Sequence, residues 1–317
     1  MVKVYHSESM SHHVMKFLDL TNLQRLDHFN ELDAPCVWMS LYNLDDYMRF
    51  RNHFGPKIVY WHGSDVLILL GVLQTQTMFG KPVSFEFLQS IVTAVDCRHV
   101  CHNELLKQEL ATVGIEALVR PLFLEPMDKF EEIYRHKFRP SVYTVVTGGR
   151  HEFYGVPWIY EIADQANVDF YIYGYEGEDT SNVFHFPYVL EAEFNERIKQ
   201  HQAFLRLPEH DGLSQSVMKA LMMGQYVCDR IDYPFVSHVS TPTDVLSFVN
   251  SLSSRTESNR DVELLNEVVN NFDWLESFKM ENQDYVYWDD WDDDVESTSF
   301  NTSGDLIDNE IKGEFDG

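Results

Sequence analysis

Fixed positive charge beside unpaired backbone amides binds anions, and one stretch of this chain offers both. Residues 203–229 read AFLRLPEHDGLSQSVMKALMMGQYVCD. An apolar run over 203–207 reads as a strand, 208–212 carries turn residues, and Ser214 is placed to cap a helix. Val217, Ala220 and Leu221 fall near helical spacing, Gly224 suits the helix end, and 226–229 starts another strand. A helix that opens from a polar, glycine-containing loop aims free N–H groups at whatever lies before it. Arg206, just upstream, adds a bidentate guanidinium. The stretch reads as a phosphate- or sugar-binding loop, or as one more strand–helix–strand crossover. A second candidate is His62, in the loop HGSD that follows the apolar strand 57–61. Ligands of open α/β sheets sit beyond the carboxyl ends of the strands, where this loop falls. The alternative for His62 is a core histidine bonded to a backbone carbonyl, and Asp65 either caps the next helix or takes part in chemistry.

The elements around these residues alternate in type. Strands are expected at 2–5, 36–40, 57–61, 98–101 and 117–120, with helices from Ser11 to about Leu18, from Tyr42 to about His53 and over 104–113. Asn103 is the expected cap of the last of these. After a mixed-charge crossing the alternation restarts, with strands at 142–146, 168–173 and 184–187 and helices over 157–165 and 191–199. Thr243 is expected to cap a helix, and apolar residues from Val262 to Phe278 predict one amphipathic helix ending near Met280. This pattern predicts an α/β protein with two Rossmann-like domains. The expected division is 1–125, a linker at 126–140, a second domain at 141–255, a C-terminal helix at 256–285 and a tail at 286–317.

Composition narrows the partners. The 317-residue chain carries 24 basic and 51 acidic side chains, a net charge of −27. The segment from Val286 onward holds eleven acids and one lysine, and the rest of the chain remains strongly acidic. Such a body is repelled by nucleic acid and anionic membranes unless a local basic cleft compensates. The tail is too acidic and polar to offset its ordering entropy, so most of it is expected to be disordered. The aromatic–acid run YVYWDDWDDD within it has a second reading, as a docking motif or a mimic of an anionic ligand. No run approaches the roughly 20 apolar residues that cross a bilayer, and the N-terminus lacks a signal-peptide apolar core. The expectation is no membrane insertion. Four scattered cysteines fit a reducing, cytoplasmic setting. Cys97, Cys101 and His102 lack a second ligand pair at zinc-like spacing, and no Asp-x-Asp follows a sheet strand, so no metal site is expected.

The segment RLPEHDGLSQSVMKALMMGQYV resembles the donor-binding segment of GT-B glycosyltransferases of the large family-4 type, and a weaker resemblance extends over roughly residues 1–250. It implies a glycosyltransferase that binds a nucleotide-sugar, a UDP- or GDP-sugar, as co-substrate and needs no other cofactor. The resemblance puts Arg150, in the loop Thr147-Gly148-Gly149-Arg150, on the diphosphate; a surface ion pair is the alternative. Arg206, Gly212, Leu213 and Ser214 would also hold the donor, while His62 and Asp211 would face the transferred sugar. Two positions depart from the family. Tyr154 replaces a phosphate-binding lysine, and Lys219 replaces the glutamate that accepts hydrogen bonds from the ribose. An ammonium only donates. Lys219 must therefore contact a phosphate, pair with a carboxylate or point elsewhere. The family also implies retention at the anomeric carbon, and Arg150, Arg206 and the helix start predict transfer without a metal. The expected acceptor is soluble, either a small molecule or a protein. Resemblance to phage-encoded enzymes keeps open a DNA glycosyltransferase acting on hydroxymethylated bases. Loss of the ribose glutamate keeps open a decayed, nucleotide-sugar-binding scaffold.

Overall fold

The computed structural model describes residues 1–27, 30–78, 81–84, 94, 96–126 and 129–283. The acidic tail at 286–317 and its aromatic–acid run lie outside the described residues. The described residues belong to one compact unit. Within it, the alternation of apolar runs and amphipathic segments produces two parallel six-stranded sheets, each flanked by helices.

The first lobe contains β1 (Lys3–His6), α1 (Ser11–Thr21), β2 (Gln24–Arg25), β3 (Cys36–Met39), α2 (Leu44–Asn52), β4 (Lys57–Trp61) and α3 (Ser64–Thr75). A two-strand hairpin, β5 (Thr77–Met78) with β6 (Lys81–Pro82), precedes β7 (Cys97–Cys101), α4 (Glu104–Ala111) and β8 (Ala117–Val119). The main sheet runs β2-β1-β3-β4-β7-β8. β3 and β4 are buried along their whole length, which is why they read as unbroken apolar runs. Phe17 of α1 packs on one face of this sheet with Val37, Ile58 and Tyr60.

The second lobe contains β9 (Ser141–Val145), α5 (Val156–Ile162), β10 (Asp169–Tyr173), β11 (Val183–Phe186), α6 (Glu191–Ile198), β12 (Ala203–Arg206), α7 (Gln215–Met222), β13 (Tyr226–Asp229), β14 (Ser237–His238) and α8 (Pro242–Ser251). Its sheet runs β11-β10-β9-β12-β13-β14. One apolar cluster gathers Ile159, Phe170, Leu205 and Phe248; another gathers Phe123, Tyr143, Phe204 and Leu221.

Three local expectations are corrected. Thr241, not Thr243, caps α8, in a reciprocal box with Asp244. Ser214 holds the cap position of α7 without a side-chain hydrogen bond; its carbonyl accepts from Val217 at 3.0 Å. The single C-terminal helix is instead two, α9 (Val262–Val268) and α10 (Asp273–Glu281). Between them Asn270 adopts a left-handed backbone, φ 60°. Its Oδ1 accepts the Phe123 amide at 2.8 Å and its own N–H donates to the Pro121 carbonyl at 3.1 Å. The break lets α9 bury Leu265 in the second lobe while α10 buries Trp274, Leu275 and Phe278 in the first.

Candidate functional site

The carboxyl ends of both sheets open onto a cleft. On the first-lobe side, β4 ends at His62. The buried carboxylate of Asp65 accepts from the amides of Gly63 at 2.8 Å, His62 at 3.0 Å and Val66 at 3.0 Å, and so fixes the turn into α3. Burial raises the Asp65 carboxyl even though these amides pull it down. Gly63, not Asp65, holds the cap position of α3, and Asp65 lies inside the helix with its carboxylate turned back onto the amides before it.

On the second-lobe side, β12 delivers Arg206 and the loop after it delivers Asp211. The two form an ion pair, with Nε to Oδ2 at 2.7 Å. Arg150 reaches the same cavity from the loop after β9. Tyr154 links the two arginines. Its ring lies 4.9 Å beneath the Arg206 guanidinium and 5.7 Å from that of Arg150, whose Nη2 donates to the Tyr154 oxygen at 3.4 Å. Among the described residues Arg150 forms no ion pair, so its charge stays uncompensated, whereas Asp211 balances Arg206. The amides of Gln215 and Ser216 stand ahead of the first bond inside α7, and both residues line the cavity. The cavity measures about 350 Å³ and includes His62, Arg150, Arg206, Asp211, Leu213 and Ser214.

Close packing holds the lobes together around it. A Cβ on Gly212 would collide with the His62 carbonyl oxygen. Across from it, Gly63 has φ +131° and approaches the Gly212 amide. Gly212 thus serves contact between the lobes. Asn103 caps α4 by accepting the Leu106 amide at 2.9 Å, and its Nδ2 donates to the Asp211 carbonyl at 2.9 Å. His210 meets Glu109 of α4 at 2.7 Å.

Lys219 is not part of this cavity. It lines an adjoining one of about 500 Å³ with His12, His13, Tyr173, Tyr188 and Glu191. His13, Val145, Thr147, Gln215 and Ser216 line both, so the two spaces are continuous. The Lys219 ammonium is buried against carboxylates, with Glu191 at 2.6 Å and Glu125 at 3.0 Å. Lys16 of α1 reaches the same pair, Glu125 at 2.9 Å and Glu191 at 3.1 Å. Burial pushes both carboxyls up, but hydrogen bonds from Lys129, Lys16 and Lys219 to Glu125, and from Lys219 and Lys16 to Glu191, outweigh it and bring each down to about 2.

Sequence reasoning missed His102, Glu125 and Glu191. His102 was visible only as part of a discarded metal motif. The carboxylates had one indirect signal: a lysine on the buried side of α7 needs a counter-charge. Among the described residues no group of three or more His, Cys, Asp or Glu is arranged to hold a metal, and no helix is long and apolar enough to cross a membrane.

No protein-family model matches the sequence, and no curated protein matches it. Solved structures do match. An α,α-trehalose-phosphate synthase (UDP-forming) from Burkholderia xenovorans, in complex with glucose-6-phosphate, superposes with a TM-score of 0.53 at 10% identity, covering 87% of this chain and 83% of that one. The lipopolysaccharide outer core galactosyltransferase WaaB gives 0.50 at 14% identity, covering 89% and 98%. A TarM mutant from S. aureus, in complex with Fondaparinux, alpha-GlcNAc-glycerol and UDP, gives 0.49 at 12% identity, covering 82% and 55%. The chain thus spans little more than half the length of that TarM chain. These structural neighbours are glycosyltransferases of the GT-B fold, and the present chain shares that fold: two Rossmann-like domains facing one another across a cleft.

Proposed function

We propose that the protein is a glycosyltransferase that moves a sugar from a UDP- or GDP-sugar to a soluble acceptor, with retention and without a metal. The observation that carries this reading is the meeting of Arg150, Arg206 and the start of α7 in one cavity with His62 and Asp211. A departing nucleoside diphosphate concentrates negative charge, and preorganised cations and amides lower the barrier where that charge develops. Arg150 supplies the uncompensated cation. Arg206 is held in place by Asp211 and by the ring of Tyr154.

The adjoining cavity takes the nucleoside. Tyr173, Tyr188, Leu190 and Phe194 give it apolar walls. Lys219, which stands where the resemblance expects a ribose-binding glutamate, presents Glu191 instead. Held ionised by Lys219 and Lys16, the Glu191 carboxylate accepts from the ribose diol. The acidic surface disfavours DNA and anionic membranes as acceptors, because phosphate contacts need many lysines and arginines. UDP-forming chemistry in the B. xenovorans neighbour makes UDP the first nucleotide to test.

A thermal-shift screen with UDP, GDP, ADP and their sugars tests the donor. At 100 times its Kd a bound nucleotide adds about 2.7 kcal/mol of stability. The reading expects a clear upward shift with UDP or GDP, and EDTA-insensitive release of the nucleotide from the matching sugar. No shift with any nucleoside diphosphate overturns it. A shift without any turnover leaves the binding scaffold as the function.

A further inference from the structure

His62 and His102 form a hydrogen-bonded pair whose proton positions follow from their surroundings. His102 sits just beyond β7, buried, with its Nδ1 3.3 Å from the Leu122 amide, and that N–H points at the ring nitrogen. The Tyr60 oxygen also lies 3.3 Å from Nδ1, but its single proton goes to the Arg120 carbonyl. A proton on Nδ1 would face the Leu122 N–H head-on. Nδ1 therefore carries a lone pair, and the ring proton of His102 is on Nε2. That Nε2 lies 3.1 Å from Nδ1 of His62 and donates to it. The proton of His62 is then on its own Nε2, a buried atom with no partner among the described residues, on a side chain that lines the cleft.

We propose that His102 is a positioning residue that fixes His62 as a neutral imidazole with its proton on Nε2, so that His62 works as a hydrogen-bond donor to a hydroxyl oxygen of the bound sugar. What the proton meets rests on the glycosyltransferase reading; where the proton sits does not. The consequence is a division of labour. His62 is not a general base, because the lone pair that could take a proton, on Nδ1, is already occupied by His102.

The charged groups nearby agree with a neutral ring. Burial, with His102 and His13 beside it, holds His62 far below the usual histidine range, and burial holds His102 at about 3. Asp65, on the same loop, is committed to backbone amides, and Asp211, across the cleft, to Arg206. His13 from α1, Tyr60 from β4, and Arg150, Arg206 and His210 from the second lobe complete the surroundings, and none is a carboxylate that would stabilise an imidazolium.

Long-range proton–nitrogen NMR of the full chain labelled with 15N-histidine reads the tautomer directly, with His62→Gln and His102→Gln assigning the signals. The expected result is an unprotonated Nδ1 and a protonated Nε2 on His62, unchanged from pH 8 to pH 5. A proton on Nδ1 of His62, or titration of His62 near the ordinary value of about 6.5, overturns the proposal, whether or not the protein proves to be a transferase. His102→Leu should remove the bond that fixes the tautomer, letting the His62 proton sit on either ring nitrogen, and lower turnover on the order of 10-fold. His102→Gln, whose amide can still donate to Nδ1, should restore most of the turnover and the Nε2 tautomer, as one lost hydrogen bond of about 1.4 kcal/mol corresponds to tenfold. UDP binding by the wild type separates failure of the histidine pairing from failure of the functional reading.

Discussion

Arg150 and Arg206 share the ring of Tyr154 yet differ in what balances them. Arg206 is half-buried and tied to Asp211, while Arg150 is exposed and forms no ion pair among the described residues. Truncating the two should therefore give different outcomes. Arg150→Gln removes a charge that only a ligand would meet. It is expected to weaken UDP binding about 10- to 100-fold, the range for losing a hydrogen bond to a charged group. Its melting temperature without nucleotide should stay close to the wild type, since an exposed side chain contributes little to folding. Arg206→Gln should weaken binding and also destabilise the fold, because it leaves Asp211 without its cation. Calorimetric titration with UDP, paired with thermal melts, checks both; an unchanged UDP affinity in Arg150→Gln would remove Arg150 from the donor site. At this scale the sequence revealed residue types but not their pairings. Arg206 and Asp211 are five residues apart and their pairing is local, whereas His62 meets His102 and Lys219 meets Glu125 only after distant segments fold together.

Among the elements, the break between α9 and α10 was hidden from the sequence. Apolar residues from Val262 to Phe278 keep near-helical spacing across it, so periodicity alone continues the helix. Two separate cores decide otherwise, since a straight helix cannot bury Leu265 in one lobe and Leu275 in the other. Asn270 makes the turn and anchors it to the segment joining the lobes. Asn270→Ala loses the bond from the Phe123 amide and puts a Cβ without a helpful side chain in the left-handed region. It should destabilise the chain by about 1–3 kcal/mol. Asn270→Gly relieves the backbone term and should cost less. Urea unfolding of the two variants gives the order, and equal stabilities would show that the backbone conformation carries no weight. The parallel strands were legible for the opposite reason. β4 and β13 are short apolar runs that stop at turn residues, and burial on both faces leaves no polar alternation to confuse them. The two-residue strands β2 and β14 left no such trace, being too short and too exposed.

For the whole molecule, the carboxylates of Glu125 and Glu191 connect the lobes. Lys16 comes from the first lobe, Lys219 and Glu191 from the second, and Glu125 from the crossing between them. Both carboxyls lie near 2 in the folded protein, below their ordinary 4.5. A carboxylate depressed in this way stabilises the fold above its unfolded value, and that stability is lost as pH falls through the folded value. Stability should therefore decline between about pH 4.5 and pH 2. Lys219→Met should flatten that decline, because it removes a cation shared by both groups. Thermal midpoints measured across this window test it; the same slope in wild type and variant would show that Lys219 does not hold these carboxylates.

By itself the sequence determined the two alternating strand–helix units, the polar, glycine-containing loop that opens α7 and the acidic balance of the chain. Each is written in local spacing or in composition, and needs no knowledge of distant neighbours. Only the tertiary structure decided that Lys219 meets Glu191 and Glu125, that the rings of His62 and His102 meet, and that Gly212 packs against the His62 carbonyl between the lobes. Those outcomes depend on which side chains from separate segments arrive at the same buried place, where charge must be matched and every polar hydrogen must find an acceptor.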